Sequence, residues 1–165
     1  MILMILQADL KQHALSLLDL SKRFLFEDGD LDPVAFIITA DAQLLRPLEL
    51  QDETSKIESC KLIVDEARRR RALAIVTIFL AQSKHFNQDE FSAESYSWGD
   101  IQASGGQRCI LVTISGPGIK NWASAVPFTE QEKMIKFQKT IEFRDGVDLG
   151  LFPGWSDQTT TPRIS

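Results

Sequence analysis

The chain has 165 residues, of which 44% are hydrophobic and 25% charged, and its formal net charge is −5. This apolar fraction is typical of a folded globular chain and excludes extensive intrinsic disorder. The acidic balance argues against broad coating of nucleic acid and against adhesion to anionic membranes, because both need a basic surface.

The N-terminal segment, residues 2–26, is predicted to form a helix, because apolar residues recur at steps of three and four. Additional leucines outside this stripe indicate that more than one side of the helix is covered. The helix is expected to end at the acidic turn 27–30, where Gly29 permits a positive φ. The members of the stripe are Leu3, Leu6, Leu10, Ala14 and Leu17, followed by Ser21 or Phe24.

Residues 33–50 are predicted to form a β-hairpin. Pro47 lies in its return strand and cannot donate a ladder hydrogen bond, which favours a position at the edge of a sheet. A second helix is predicted over residues 53–70, with Ile57, Cys60, Val64 and Ala67 as its apolar stripe.

The next segment, residues 72–81, is almost entirely apolar, as in a strand that is covered on both faces. A polar excursion follows over 82–107, and its length is unusual for a loop in a compact domain. Three further strands are predicted at 108–115, 122–128 and 133–143. In the last strand Ile135, Phe137, Ile141 and Phe143 alternate with polar residues, so all four are expected on one buried face.

These elements predict an α+β fold with one mostly antiparallel sheet of about six strands, flanked by two helices that cover one face. Residues 1–155 are expected to form one domain and residues 156–165 a frayed C-terminal tail. Cys60 and Cys109 are predicted to be buried free thiols. The apolar start lacks a basic residue and ends after six residues, which argues against a signal peptide and for a cytoplasmic protein.

Sequence signals for catalysis are weak. The histidines and cysteines lack the close pairs of a zinc site, and no glycine-rich phosphate-binding motif is present, so neither a metal nor a cofactor is expected. Asp28, Asp30 and Asp32 have the spacing of the first calcium-loop ligands. However, Pro33 stands where that loop needs glycine, and Thr39 stands where it needs glutamate.

Two features are candidate binding sites for a ligand or partner. Four consecutive arginines, Arg68, Arg69, Arg70 and Arg71, close the second helix and would complement its dipole or form a docking patch. Phe91, Tyr96 and Trp98 lie in the polar excursion and would form a lid, a dimer contact or the wall of a ligand pocket.

The acidic-Gly turn at 27–29, the hairpin at 33–42, the strand at 71–79 and the Gly-Pro-Gly turn before 122–128 occur in a characteristic order. In this order the chain resembles a bacterial family of uncharacterised small proteins, over residues 10–145. The shared motifs are structural turns and core strands, so the resemblance implies no activity, substrate or catalytic residue.

Three functions are compatible with these features. The first is a non-catalytic protein-interaction domain, which self-associates as a homodimer or binds another protein through the apolar first helix and the edge strand. The second is a metal-dependent hydrolase or nuclease-like enzyme that uses scattered carboxylates, Asp28, Asp30, Asp100 and Glu142 among them. The third is a small-ligand sensor whose pocket is walled by the aromatic residues of the excursion.

Overall fold

The computed structural model describes residues 2–83, 107–132, 134–143, 151–152 and 155. The predicted tail at 156–165 lies outside these residues, as does most of the polar excursion. Within them, the helices and strands in chain order are α1 (Ile2–Asp28), β1 (Val34–Ile38), β2 (Gln43–Pro47), α2 (Glu53–Arg69), β3 (Ala74–Ser83), β4 (Gln107–Ser115), β5 (Trp122–Gln131), β6 (Met134–Phe137) and β7 (Ile141–Glu142).

The strands form one sheet in the order β2-β1-β3-β4-β5-β6, and β7 also pairs with β5. Every neighbouring pair is antiparallel. The predicted α+β class, with one antiparallel sheet and two helices, is therefore confirmed. The prediction from Pro47 is confirmed as well, because β2 lies at the edge of the sheet.

The two helices lie on opposite faces of the sheet, so the expectation that both cover one face is wrong. Alternate residues of β3 separate into two cores: Ile75 and Phe79 join the core that contains α2, whereas Val76 and Ile78 join the core that contains α1. Both faces of β3 are thus covered, which explains its continuous apolar sequence. Trp155 completes the α2 side, where its indole N–H donates to the Ser115 carbonyl at 3.1 Å.

The predicted final strand is interrupted by a bulge opposite Pro127. Phe137 pairs with Phe128 and Ile141 with Ala125, so four residues on one strand span three on the other. The amide of Gln138 donates to the Pro127 carbonyl at 2.8 Å. Pro127 itself has no N–H that could donate to the Gln138 carbonyl. An extra residue in the neighbouring strand accommodates this missing hydrogen bond.

The bulge reverses the faces of the residues that follow it. Ile135 belongs to the core beneath α1, whereas Phe143 belongs to the core beneath α2. The expectation that residues 135, 137, 141 and 143 share one face is therefore wrong, because a one-residue insertion moves each later side chain to the other side.

Neither described helix is long and apolar enough to cross a membrane.

Candidate protein-interaction surface

The arginine run forms a positive pole at the end of α2. All four side chains are exposed. Arg71 adopts the left-handed region with φ 54°. Its N–H donates to the Arg68 carbonyl at 3.1 Å, and the N–H of Ala72 donates to the Ala67 carbonyl at 2.8 Å. This is the Schellman motif with arginine in the position that usually holds glycine. Consecutive residues of a helix point about 100° apart, so the run does not form one flat cationic face.

Glu66 fastens α2 to the edge strand, and one arginine of the run supports this link. Glu66 accepts two hydrogen bonds from Arg46 of β2, Nε to Oε1 and Nη2 to Oε2, each of 2.7 Å. The Nε of Arg70 donates to the same carboxylate at 2.9 Å. The hydrogen bonding from Arg46, supported by Arg70 and by both positive charges, lowers the pKa of Glu66 to about 2. The carboxylate is therefore an ionised link between helix and strand.

The aromatic candidates Phe91, Tyr96 and Trp98 lie outside the described residues, as does Asp100, so their roles stay predictions. The structure shows only that the segment carrying them joins the paired ends of β3 and β4, where Ser83 pairs with Gln107. The described part of the chain contains no group of three His, Cys, Asp or Glu side chains that could hold a metal ion.

An apolar groove lies between α1 and the β1–β2 hairpin, and we call it the α1–β2 groove. It encloses about 580 Å³. It forms because α1 packs chiefly against β4, with smaller contacts to β3 and β6, and leaves part of the hairpin face uncovered. Its walls and mouth consist of Leu17, Leu20, Ser21, Phe24, Asp28, Asp30, Leu31, Asp32, Val34, Phe36, Gln43, Leu45 and Ile78.

Large apolar side chains at this groove remain open to solvent. Leu20 is 41% exposed, Phe24 46% and Leu45 54%. The stripe of the first helix was expected to include Ser21 or Phe24. Ser21 is buried and Phe24 is exposed, and Leu18 and Leu25 also lie against the sheet. Scattered exposed apolar residues are ordinary on protein surfaces, whereas several around one concave surface mark an interaction site.

One end of the groove is strongly negative. Asp28 is the last residue of α1, and the last turn of this helix carries no basic residue. Asp28, Asp30 and Asp32 are exposed, and the helix C-terminus adds its own partial negative charge. We call this end the acidic pole. It lies before the start of β1.

The arginines lie at the other end of β1, which we call the arginine pole. There the amide of Leu73, two residues after the run, donates to the carbonyl of Ile38 at 2.7 Å. Five residues of β1 separate the two poles along the strand, a span of roughly 15 Å at the rise of an antiparallel strand. The molecule therefore carries opposite charges at the two ends of its hairpin.

Sequence reasoning found the leucine-rich helix and the edge strand, but it missed the groove between them. The groove depends on where α1 crosses the sheet, which no local pattern specifies.

Comparison of the chain with protein-family models, with curated proteins and with solved structures finds no match.

Proposed function

We propose that this chain is a small, cytoplasmic, non-catalytic protein-interaction domain that acts as a homodimer, and that the α1–β2 groove is its contact surface. The observation that carries the proposal is the combination of a 580 Å³ apolar groove with exposed Leu20, Phe24 and Leu45. Covering these side chains with a protein surface would remove apolar area from water, at roughly 25 cal/mol per Å².

The test is the mass of the protein in solution. Sedimentation equilibrium between 1 and 100 μM is expected to give a dimer for the native chain. The double variant Leu20→Ser, Phe24→Ser is expected to sediment as a folded monomer, because it removes apolar surface from one wall of the groove. Thermal melts would verify that it remains folded, since both residues are more than 40% exposed.

The matched control is Leu62→Ser on α2. Leu62 is 70% exposed and lies outside the α1–β2 groove, so its removal is expected to leave the dimer intact. A native chain that stays monomeric over the whole concentration range would contradict the homodimer. Loss of the dimer in Leu62→Ser but not in the groove variant would contradict the choice of surface.

A further inference from the structure

The free edge of β2 has a definite pattern of outward hydrogen-bonding groups. The Leu48 amide donates to the Pro33 carbonyl at 3.0 Å, and at the other end of the hairpin the Ala42 carbonyl accepts from the Thr39 amide at 2.9 Å. Even-numbered residues of the return strand therefore face β1. Because the direction alternates along an antiparallel strand, the backbone groups of Gln43, Leu45 and Pro47 point away from the sheet.

This pattern is compatible with pairing to a second copy of itself. When Leu45 stands opposite the partner's Leu45, each Leu45 N–H can donate to the other Leu45 carbonyl. Each Gln43 N–H then meets the carbonyl of the partner's Pro47. The return bond is missing because proline has no N–H, so the Gln43 carbonyl, at the exposed end of β2, gains no donor across the seam. Arg46 Nη1 already donates to the Leu45 carbonyl at 2.9 Å, but a carbonyl oxygen has a second lone pair.

The side chains favour the same register. Leu45 pairs with Phe36 on the face that α1 covers, so its exposed side chain lies beside the α1–β2 groove. A Leu45-centred pair overlaps all five residues of β2 and brings the two Leu45 side chains together. Shifting the register by one residue in each copy would place Leu45 opposite the partner's Gln43 and lose this apolar pair.

The charges also favour a second copy as the occupant. Two strands paired about a two-fold axis in an antiparallel manner run in opposite directions. The acidic pole of each copy then lies at the same end of the seam as the arginine pole of the other, on the opposite face of the sheet, whereas parallel alignment would bring like poles to the same end. A two-fold contact is also closed, so both β2 edges are covered without further growth of the sheet.

We infer that the homodimer forms by antiparallel pairing of the two β2 strands, with Leu45 on the two-fold axis and the two α1–β2 grooves joined into one apolar seam. This inference rests on the proposed function and specifies the surface through which it operates. It makes one continuous sheet of the two copies, with α1 of both copies on the same side.

Site-specific cross-linking tests the register. Opposed residues in a hydrogen-bonded antiparallel pair have Cα atoms about 5.5 Å apart, whereas the two Gln43 residues would be four positions out of register, roughly 13 Å apart. Leu45→Cys is therefore expected to form a covalent dimer with a short bifunctional thiol reagent at least tenfold more efficiently than Gln43→Cys. Both variants carry the new cysteine on the same exposed strand.

The native thiols do not compete in this assay. Cys60 and Cys109 are both buried. Burial raises the pKa of Cys60 to about 11 and raises that of Cys109 further, so the reactive thiolate is scarce near neutral pH. The unmodified chain is the blank, and it is expected to give no covalent dimer.

A charge reversal tests the arrangement of the poles. Asp30→Lys together with Asp32→Lys changes the net charge from −5 to −1, which by itself would ease self-association. If the acidic pole lies at the same end of the seam as the partner's arginines, the variant is nevertheless expected to raise the dimer dissociation constant several-fold. An unchanged or lower dimer dissociation constant would overturn the arrangement in which opposite poles of the two copies share each end of the seam.

The outcomes separate this inference from the proposed function. A dimer by sedimentation in which Leu45→Cys links no better than Gln43→Cys overturns the β2 pairing and leaves the homodimer standing. A native chain that is monomeric throughout overturns both. If a different protein is recovered bound to the groove of a monomeric chain, that result would also contradict the proposal that a second copy occupies the groove.

Discussion

Replacing Glu66 by glutamine should loosen the link between α2 and the edge strand in a pH-dependent manner. The pKa of this carboxyl is about 2 in the folded chain, against the usual 4.5, and each pKa unit corresponds to about 1.4 kcal/mol. The full difference would amount to roughly 3 kcal/mol. The Arg46 and Arg70 side chains are 36% and 45% exposed, so water screens their ion pairs with Glu66. We therefore expect Glu66→Gln to lower the free energy of unfolding by about 1–2 kcal/mol.

The sign follows from the depressed pKa. The folded state holds Glu66 ionised more strongly than the unfolded state does, so the stabilisation is complete above pH 4.5 and is lost as the pH falls towards 2. Urea unfolding at several pH values should show Glu66→Gln less stable than the native chain at pH 7. The two curves should converge as the medium becomes acid.

Glu58→Gln is the matched control, because it removes an exposed carboxylate from the same helix. It is expected to change the free energy of unfolding by less than about 0.5 kcal/mol. Equal stability of Glu66→Gln and the native chain at pH 7 would refute the reasoning. A difference that persists undiminished near pH 2 would show that the loss comes from packing rather than from the charge.

Two pairs of substitutions test the backbone conformation at Arg71 and the close backbone approach at Gly116, each by thermal unfolding. Arg71→Gly should stabilise the chain by about 0.5–1 kcal/mol, since glycine adopts the observed φ of 54° without strain, whereas Arg69→Gly within the helix should destabilise it by about 1 kcal/mol. Gly116→Ala should cost about 1–3 kcal/mol, because its Cβ would lie 2.5 Å from the Leu73 carbonyl oxygen. Gly29→Ala has open space around it and should cost only the left-handed strain of about 1 kcal/mol, so equal losses at both glycines would contradict the close-approach explanation.

The course of the chain could be predicted from local signals. Periodicity located both helices, Pro47 identified the edge strand, and the apolar run of β3 indicated cover on both faces. Each of these signals acts within a few residues. The link from Glu66 to Arg46 could not be predicted, because it joins residues 20 positions apart whose proximity depends on the face that α2 covers.

The error in the last strand has a specific physical origin. Alternation along residues 133–143 indicates one buried face only if the strand is continuous. The interruption arises in the neighbouring strand, where Pro127 lacks the N–H that would complete the ladder. The signal was present in the sequence, since the argument that placed Pro47 at an edge also predicts a defect beside a proline inside a sheet.

The two prolines have different consequences because, among the described residues, only Pro127 has a strand on the side that its missing N–H would face. Beside Pro127, an extra residue in the neighbouring strand accommodates the missing donor and directs Phe143 into the other core. Beside Pro47 no strand of the described chain pairs with the outer edge, so the missing donor faces outward. A strand that pairs there can donate an N–H to the Pro47 carbonyl, but its own carbonyl at that position receives no hydrogen bond from Pro47. In the antiparallel register proposed here, Gln43 of a second copy donates that N–H, and its own carbonyl lies at the exposed first residue of β2, where water can satisfy it.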